Sequence, residues 1–335
     1  MSAEASAAYP PFHNHGLRLT IACVSAAVMA MAINNLLAAI VAPIFVAALL
    51  APGAPAPPVR MFVLPAIIWV VGFLVDTATI FLGDNKDVLL AFYAWVIFLC
   101  FWDDTKAGPK PATGLILIVL VMVGTLSSAS PVSTSALVDA LALAAALALV
   151  AIIIAHGLAP GGLMEKDVVA AKPSSHPLRE SLGRTALLMV LVSFYIMTEI
   201  TGGLYVLVAA ATILRLPAAS RGALGLVAAN IVGGAVALSA ALFMAVTPST
   251  MFDVVLFAAM VLGLGLAAEA GGKLGNLAKG ATGVTIILLT IALISNDETG
   301  AYFTRVFEIT LSVTYVLLGR AVLDPPDPIE NTSSA

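Results

Sequence analysis

Glu199 is a carboxylate where carboxylates are costly. It interrupts the apolar run from Ala186 to Leu214 within MTEITGGLY, residues 197–205, beside Thr198, Thr201 and a Gly202-Gly203 pair. At the centre of a membrane helix such a charge costs about 2.5–3.5 kcal/mol on insertion scales. Desolvation in a cavity would raise its pKa and let it exchange a proton during transport, with Thr198 and Thr201 sharing its polar surroundings. The plainer reading puts Glu199 in water at the outer mouth of a short helix.

Other polar groups lie in apolar surroundings. Arg305 and Glu308 stand three residues apart, on one face of a helix. They either neutralise each other, or Arg305 attracts an anionic substrate and Glu308 sets its availability. Asp139 corresponds to Glu308 in a repeat described below, but Ala136 stands where Arg305 would be. Asp76 is an interfacial carboxylate or a group on a pathway. Asn230 suits a hydrogen bond between helices. Asn34 and Asn35 form a second polar break, inside the apolar stretch 17–51. The aromatic residues Trp69, Phe92, Tyr93, Trp95, Trp102, Tyr195 and Tyr205 read as packing and interface-belt residues, and a subset could stack an aromatic substrate.

Enzyme chemistry has no foothold. EAGGKLG at 269–275 lacks the leading Gly of a phosphate-binding loop and follows Lys273 with Leu. There is no HExxH, CxxC or nucleophile elbow, and no cofactor or metal site is expected. Cys23 and Cys100 both fall in apolar runs, so no disulfide framework is implied. His13 and His15 read as solvated residues of an N-terminal tail. Any active transport must draw on ion gradients.

These residues are set in a chain of 335 residues that is 61% hydrophobic and 10% charged, with a mean hydropathy of +1.07. That composition means a multi-pass membrane protein embedded in a lipid bilayer. The net charge of −4 offers nothing to nucleic acid. Apolar segments fall near 17–33, 36–51, 60–82, 87–102, 112–128, 132–156, 184–200, 203–216, 222–247, 250–268, 279–296 and 300–322. Turn sequences such as APGAPAPP (51–58), GDNKD (83–87) and DDTKAGPKP (103–111) separate them. Ala30-Met31-Ala32 resembles a signal-peptidase site, but the long leader with a single Arg and the internal counterpart of this segment argue against cleavage.

Whether Asn34-Asn35 and Gly202-Gly203 are hairpins or flaws in longer helices decides between twelve and ten crossings. With twelve, 13 of the 15 Lys and Arg fall on one face, leaving only Lys86 and Arg305 opposite. With ten, the same residues divide seven against eight. Basic residues concentrate on the cytoplasmic side, so twelve segments with both termini cytoplasmic is the expectation. Segments 36–51, 186–200 and 203–216 are short, which places both joints where transporters often break helices around a substrate.

The chain also repeats weakly. An offset of 166 aligns Arg18 with Arg184 and Asp87-Val88 with Asp253-Val254, an offset of 161 aligns Arg60 with Arg221, and 169 pairs Asp139 with Glu308. The expected organisation is all-α: a cytoplasmic tail 1–16, a six-helix repeat 17–156, a cytoplasmic linker 157–183, a second six-helix repeat 184–322 and a tail 323–335. An even number of segments per half makes the halves parallel in topology.

The opening GLRLTIACVSAAVMAMAINNLLAAIVAPIFVAALL (16–50) and the ending TRVFEITLSVTYVLLGRAVL (304–323) resemble the fusaric acid resistance/aromatic acid exporter superfamily, in a compact form without the large cytoplasmic domain. The resemblance implies proton-driven efflux of aromatic or hydrophobic carboxylic acids across a bacterial inner membrane. It also implies a periplasmic membrane-fusion adaptor as partner, and plant relatives add an anion channel as an alternative. Homo-oligomerisation stays open. A major-facilitator transporter shares the six-plus-six layout, but APGAPAPPVR lacks the Gly-Asp-Arg-Arg/Lys pattern expected in its first cytoplasmic loop. A non-transporting scaffold subunit of an envelope complex is the remaining alternative.

Overall fold

The computed structural model describes residues 14–50, 59–108, 110–129, 134–160, 176–199, 204–215, 219–247, 249–270, 272–292 and 298–323. They form twelve α-helices: α1 (His15–Ala32), α2 (Leu36–Leu49), α3 (Val63–Leu82), α4 (Lys86–Ala107), α5 (Pro111–Ala129), α6 (Thr134–Leu158), α7 (Pro177–Thr198), α8 (Leu204–Arg215), α9 (Ala219–Val246), α10 (Thr250–Glu269), α11 (Gly272–Ala292) and α12 (Glu298–Leu323). A 3-10 turn, Val59–Phe62, leads into α3. Seven of the helices, α1, α3, α4, α6, α7, α9 and α10, are long and apolar enough to cross a membrane.

Small residues fill the contact between α1 and α2, and several large apolar side chains elsewhere point outward. Ala22, Ala26 and Ala30 of α1 and Ala38 and Ala42 of α2 are fully buried, while Phe81, Trp95, Val246 and Leu318 are each more than half exposed. Small residues let helix backbones approach, and large apolar side chains directed outward suit hydrocarbon better than water. Gly265 illustrates the approach: a Cβ added there would lie 2.5 Å from the Gly16 Cα. Gly233 of α9 likewise sits against the Ala281 carbonyl of α11, and Thr285 Oγ1 donates to the Gly233 carbonyl at 2.9 Å.

The chain divides into two compact units. The first holds α1, α2, α10 and α11 with most of α6 and α9; the second holds α4, α5, α7 and α8 with most of α3 and α12. In the first, α1 packs on α2 and α10, and α11 on α10 and α2. In the second, α7 packs on α8 and α4, and α5 on α4 and α8. Each pairing of the first unit recurs in the second with the helix number changed by six. One further pair, α5 with α7, has no counterpart of similar extent. The division falls after residue 66 in α3 and after residue 227 in α9, an offset of 161.

Both polar breaks end a helix. At the first, α1 stops at Ala32, Asn34 takes a left-handed φ of 55°, and Asn35 Oδ1 accepts from the Ala38 amide at 2.9 Å to cap α2. Asn tolerates the left-handed region, and an Asn N-cap satisfies an otherwise orphaned amide. At the second, α7 stops at Thr198 and Glu199 takes a left-handed φ of 54° before α8 starts at Leu204. Gly202-Gly203 lies outside the described residues. The helices that follow are short: α2 has 14 residues and α8 has 12. At 1.5 Å per residue they span about 21 and 18 Å, against roughly 30 Å of hydrocarbon.

Several helix boundaries differ from expectation. α7 begins at Pro177, not at 184, because Pro suits the first helical position; Ser181 and Thr185 keep their hydroxyls satisfied within the helix by donating to the carbonyls four residues earlier. His15 opens α1 and is buried, so it is no solvated tail histidine; His13 lies outside the described residues. α11 also starts early, at Gly272, whose φ of +67° makes the turn from α10.

Candidate functional site

The site lies at one end of the second unit and is set by how α4 meets its neighbours. At the start of α4, Lys86 Nζ donates to Glu199 Oε1 at 2.8 Å, beyond the last turn of α7. Near its end, Thr105 Oγ1 and Ser181 Oγ of the second turn of α7 are 2.9 Å apart. The two helices therefore run antiparallel, side by side, over about 18 residues each. The last residue of α8, Arg215, reaches Asp104 at the far end of α4. So the chain reverses between α7 and α8, and α8 runs the same way as α4.

Under the Lys86–Glu199 pair is a cavity of about 250 Å³, lined by Thr79, Ile80, Gly83, Lys86, Leu89, Ser127, Ile196 and Glu199. Polar contacts continue from it between α3, α4 and α5. Ser127 Oγ donates to Asp76 Oδ1 at 2.8 Å, and Asp76 is buried. Thr79 Oγ1 donates to the Val75 carbonyl at 2.8 Å and lies 2.6 Å from Tyr93 Oη. A hydroxyl has one proton, so Tyr93 is the donor to Thr79. Tyr93 fits because position 124 is glycine: a Cβ there would lie 2.4 Å from the phenol oxygen. The arrangement is an ion pair at a cavity of mixed lining, whose Ser127 is hydrogen-bonded to the buried Asp76. Chemically it can hold a small anion at Lys86 and pass a proton toward Asp76.

Glu199 departs from the desolvated, raised-pKa carboxylate that its sequence context suggests. Its side chain is 58% exposed, and the hydrogen bond from Lys86, reinforced by the lysine charge, holds its carboxyl below the ordinary value. The cause is position: it caps α7 instead of lying within the helix. Thr198 is exposed and its Oγ1 donates to the Phe194 carbonyl at 2.6 Å. Thr201 lies outside the described residues. Asn34 and Asn35 serve the α1–α2 turn, in the first unit.

Among the remaining candidates whose side chains are described, only Asp76 is tied to the cavity, through Ser127. Asp139 is exposed on α6 and Asn230 is buried in α9, both in the first unit. Glu308 is buried in α12, and its carbonyl accepts from Ser312 Oγ at 2.7 Å. Arg305 lies one turn earlier on that helix, and its side chain is outside the described residues. Lys86, Thr79 and Ser127 were not offered as site residues by the sequence, and Tyr93 was read only as one of several packing or stacking aromatics. Lys86 had one signal, as one of only two basic residues on the face opposite the other thirteen. Thr79 and Ser127 had none, because their meeting with Tyr93 and Asp76 depends on how three helices pack. Among the described residues no cluster of His, Cys, Asp and Glu could hold a metal ion.

Comparison of the chain with protein-family models, with curated proteins and with solved structures finds no match in any of the three.

Proposed function

We propose that the chain is a multi-pass membrane transporter that moves small organic anions with protons, through the chamber of the second unit. The observation that carries this reading is the buried Asp76, tied to Ser127 beneath the Lys86–Glu199 pair. An ionisable group kept inside an apolar helical protein marks an ion or substrate pathway by default, because its burial is otherwise a standing cost. In this reading Lys86 receives the substrate carboxylate, exchanging Glu199 for it, and Asp76 takes up and releases the coupled proton. The substrate class, aromatic or hydrophobic carboxylic acids, and the direction, efflux, come from the resemblance to the aromatic acid exporters. A periplasmic adaptor as partner has the same source.

The proposed architecture is twelve crossings in two six-helix repeats of parallel topology, in the bacterial inner membrane with both termini cytoplasmic. Three correspondences support it. The helix pairings of the two units match under a change of six. Arg18 and Arg184, which the offset of 166 aligns, are both buried near the start of α1 and of α7. Asn34 and Glu199, the two non-glycine residues of positive φ among those described, both follow the first helix of a repeat.

The test is flux in proteoliposomes against a panel of aromatic carboxylic acids, with and without a pH gradient. The expected result is gradient-dependent movement that Asp76→Asn abolishes while the protein still inserts and purifies normally. Gradient-dependent flux that survives Asp76→Asn unchanged removes the chamber from the pathway. Absence of flux for every acid ends the transport reading.

A further inference from the structure

At the opposite end of the second unit, α7 and α12 enclose a cavity of about 280 Å³ whose polar lining is Arg179, Glu180, Arg184 and Arg320. Three guanidinium groups face one carboxylate there. Arg184 is buried, its Nη2 is paired with Glu180, and its Nε, also buried, has no hydrogen-bond acceptor among the described residues. Arg320 is held in place by donating from Nη2 to the Leu214 carbonyl at 2.7 Å. The cavity is fixed by close packing: Tyr315 Oη donates to the Leu187 carbonyl at 2.7 Å, and a Cβ on Gly319 would lie 2.2 Å from Leu187 Cδ2. It opens beside the first turns of α7, the positive end of that helix.

A buried guanidinium nitrogen without an acceptor is costly, and it points to a ligand that would accept from it. Guanidinium forks match the oxygens of a phosphate bidentately, and basic pockets between membrane helices hold lipid headgroups. The rest of the lining is apolar and includes the exposed Leu182, which suits an acyl chain. We infer that this cavity is a phosphate-binding site, filled either by the headgroup of an anionic phospholipid or by a free phosphate. The site is separate from the chamber at the Glu199 end, and does not depend on what the protein transports.

The experiment compares the wild type with Arg179→Gln/Arg320→Gln, which leaves the buried Arg184–Glu180 pair in place. A second variant, Lys106→Gln/Lys110→Gln, removes two charges at the same end of the unit but outside the cavity. Each protein is purified from membranes of phosphatidylcholine with added phosphatidylglycerol, and retained lipid is counted by native mass spectrometry. Thermal stability in lipid-free detergent is then followed as inorganic phosphate is added. The expected result is a fall of about tenfold or more in retained phosphatidylglycerol for the arginine variant, with the lysine variant like the wild type. Stabilisation by inorganic phosphate that only the arginine variant loses, without preferential lipid retention, identifies free phosphate as the occupant. Equal retention and equal phosphate response in the wild type and the arginine variant overturn the site. So does an equal loss in the lysine variant, which would make the effect one of surface charge alone.

Discussion

Arg215 grips Asp104 with two hydrogen bonds, Nε to Oδ2 at 2.6 Å and Nη2 to Oδ1 at 3.2 Å, and its Nη2 also donates to the Lys110 carbonyl at 2.6 Å. The pair ties the last residue of α8 to the end of α4 and to the loop before α5. The Asp104 side chain is 1% exposed and that of Arg215 16%. Arg215 also lies against Gly114: a Cβ there would stand 1.8 Å from its Nη1, so the first turns of α5 must leave room for the guanidinium.

Removing one partner of a buried pair leaves an uncompensated charge, at a cost of about 3–5 kcal/mol. Arg215→Gln should therefore lower the melting temperature of the purified protein sharply. Removing both charges, in Asp104→Asn/Arg215→Gln, should recover much of the loss, because neither partner is left stranded. A double variant no more stable than Arg215→Gln would show that the two side chains act separately.

A second contrast concerns the α1–α10 contact. Gly265→Ala puts a Cβ where the Gly16 backbone lies 2.5 Å away, and neither helix can yield a flexible side chain to relieve it. The variant should lose folded protein, read as monodisperse yield on size exclusion. Gly263→Ala, two residues earlier, meets nothing within 4 Å. It should be neutral or slightly stabilising, since Ala is favoured over Gly in a helix by up to about 1 kcal/mol. Equal yields for the two variants would argue against close packing at Gly265.

Much of this was legible in the chain. The breaks at Asn34 and Glu199 were marked by polar residues in apolar surroundings, and both do end helices. The boundaries of the two compact units were not legible. They draw helices from both halves of the chain, and no local pattern records which distant helix will pack against which. Asp104 carried a similar silence: DDTKAGPKP reads as a solvated loop, yet one of its two acidic residues is buried against Arg215, 111 positions away. Glu199 was read either as a desolvated cavity carboxylate or as a residue in water at the mouth of a short helix, and it is exposed beyond the end of α7. Its partner, Lys86, is 113 residues distant and comes within reach only because α4 and α7 lie antiparallel.

That partner fixes the pH behaviour expected of Glu199. A carboxylate whose pKa is depressed in the folded protein adds stability above its unfolded pKa and loses it as pH falls through the folded value. The ordinary value is 4.5 and the folded one is lower, so the pair is intact throughout the neutral range. The stability difference between the wild type and Glu199→Gln should be constant from neutrality to about pH 5 and shrink only in stronger acid. The pH dependence of flux near neutrality should likewise be the same in both proteins. A flux profile that flattens in Glu199→Gln would return the proton step to this residue.

The last prediction fixes which side each end of the second unit faces. Asp84 lies in the turn between α3 and α4, two residues before Lys86, so it shares the Glu199 end. Cys23 and Cys100 are both buried, and a membrane-impermeant thiol reagent should leave them unlabelled in intact cells. Under the proposed topology, Asp84→Cys should label from the periplasm, as should a cysteine at Glu298, while Ser175→Cys should label only after the membrane is opened. The ten-crossing alternative joins α1 to α2 and α7 to α8, putting Asp84 on the opposite side from the N-terminus only by an extra reversal elsewhere. Labelling of Ser175→Cys and Asp84→Cys from the same face of the membrane would place the Lys86 end and the α6–α7 connection together, and both the antiparallel course of α7 across the bilayer and the sidedness of the chamber would have to be abandoned.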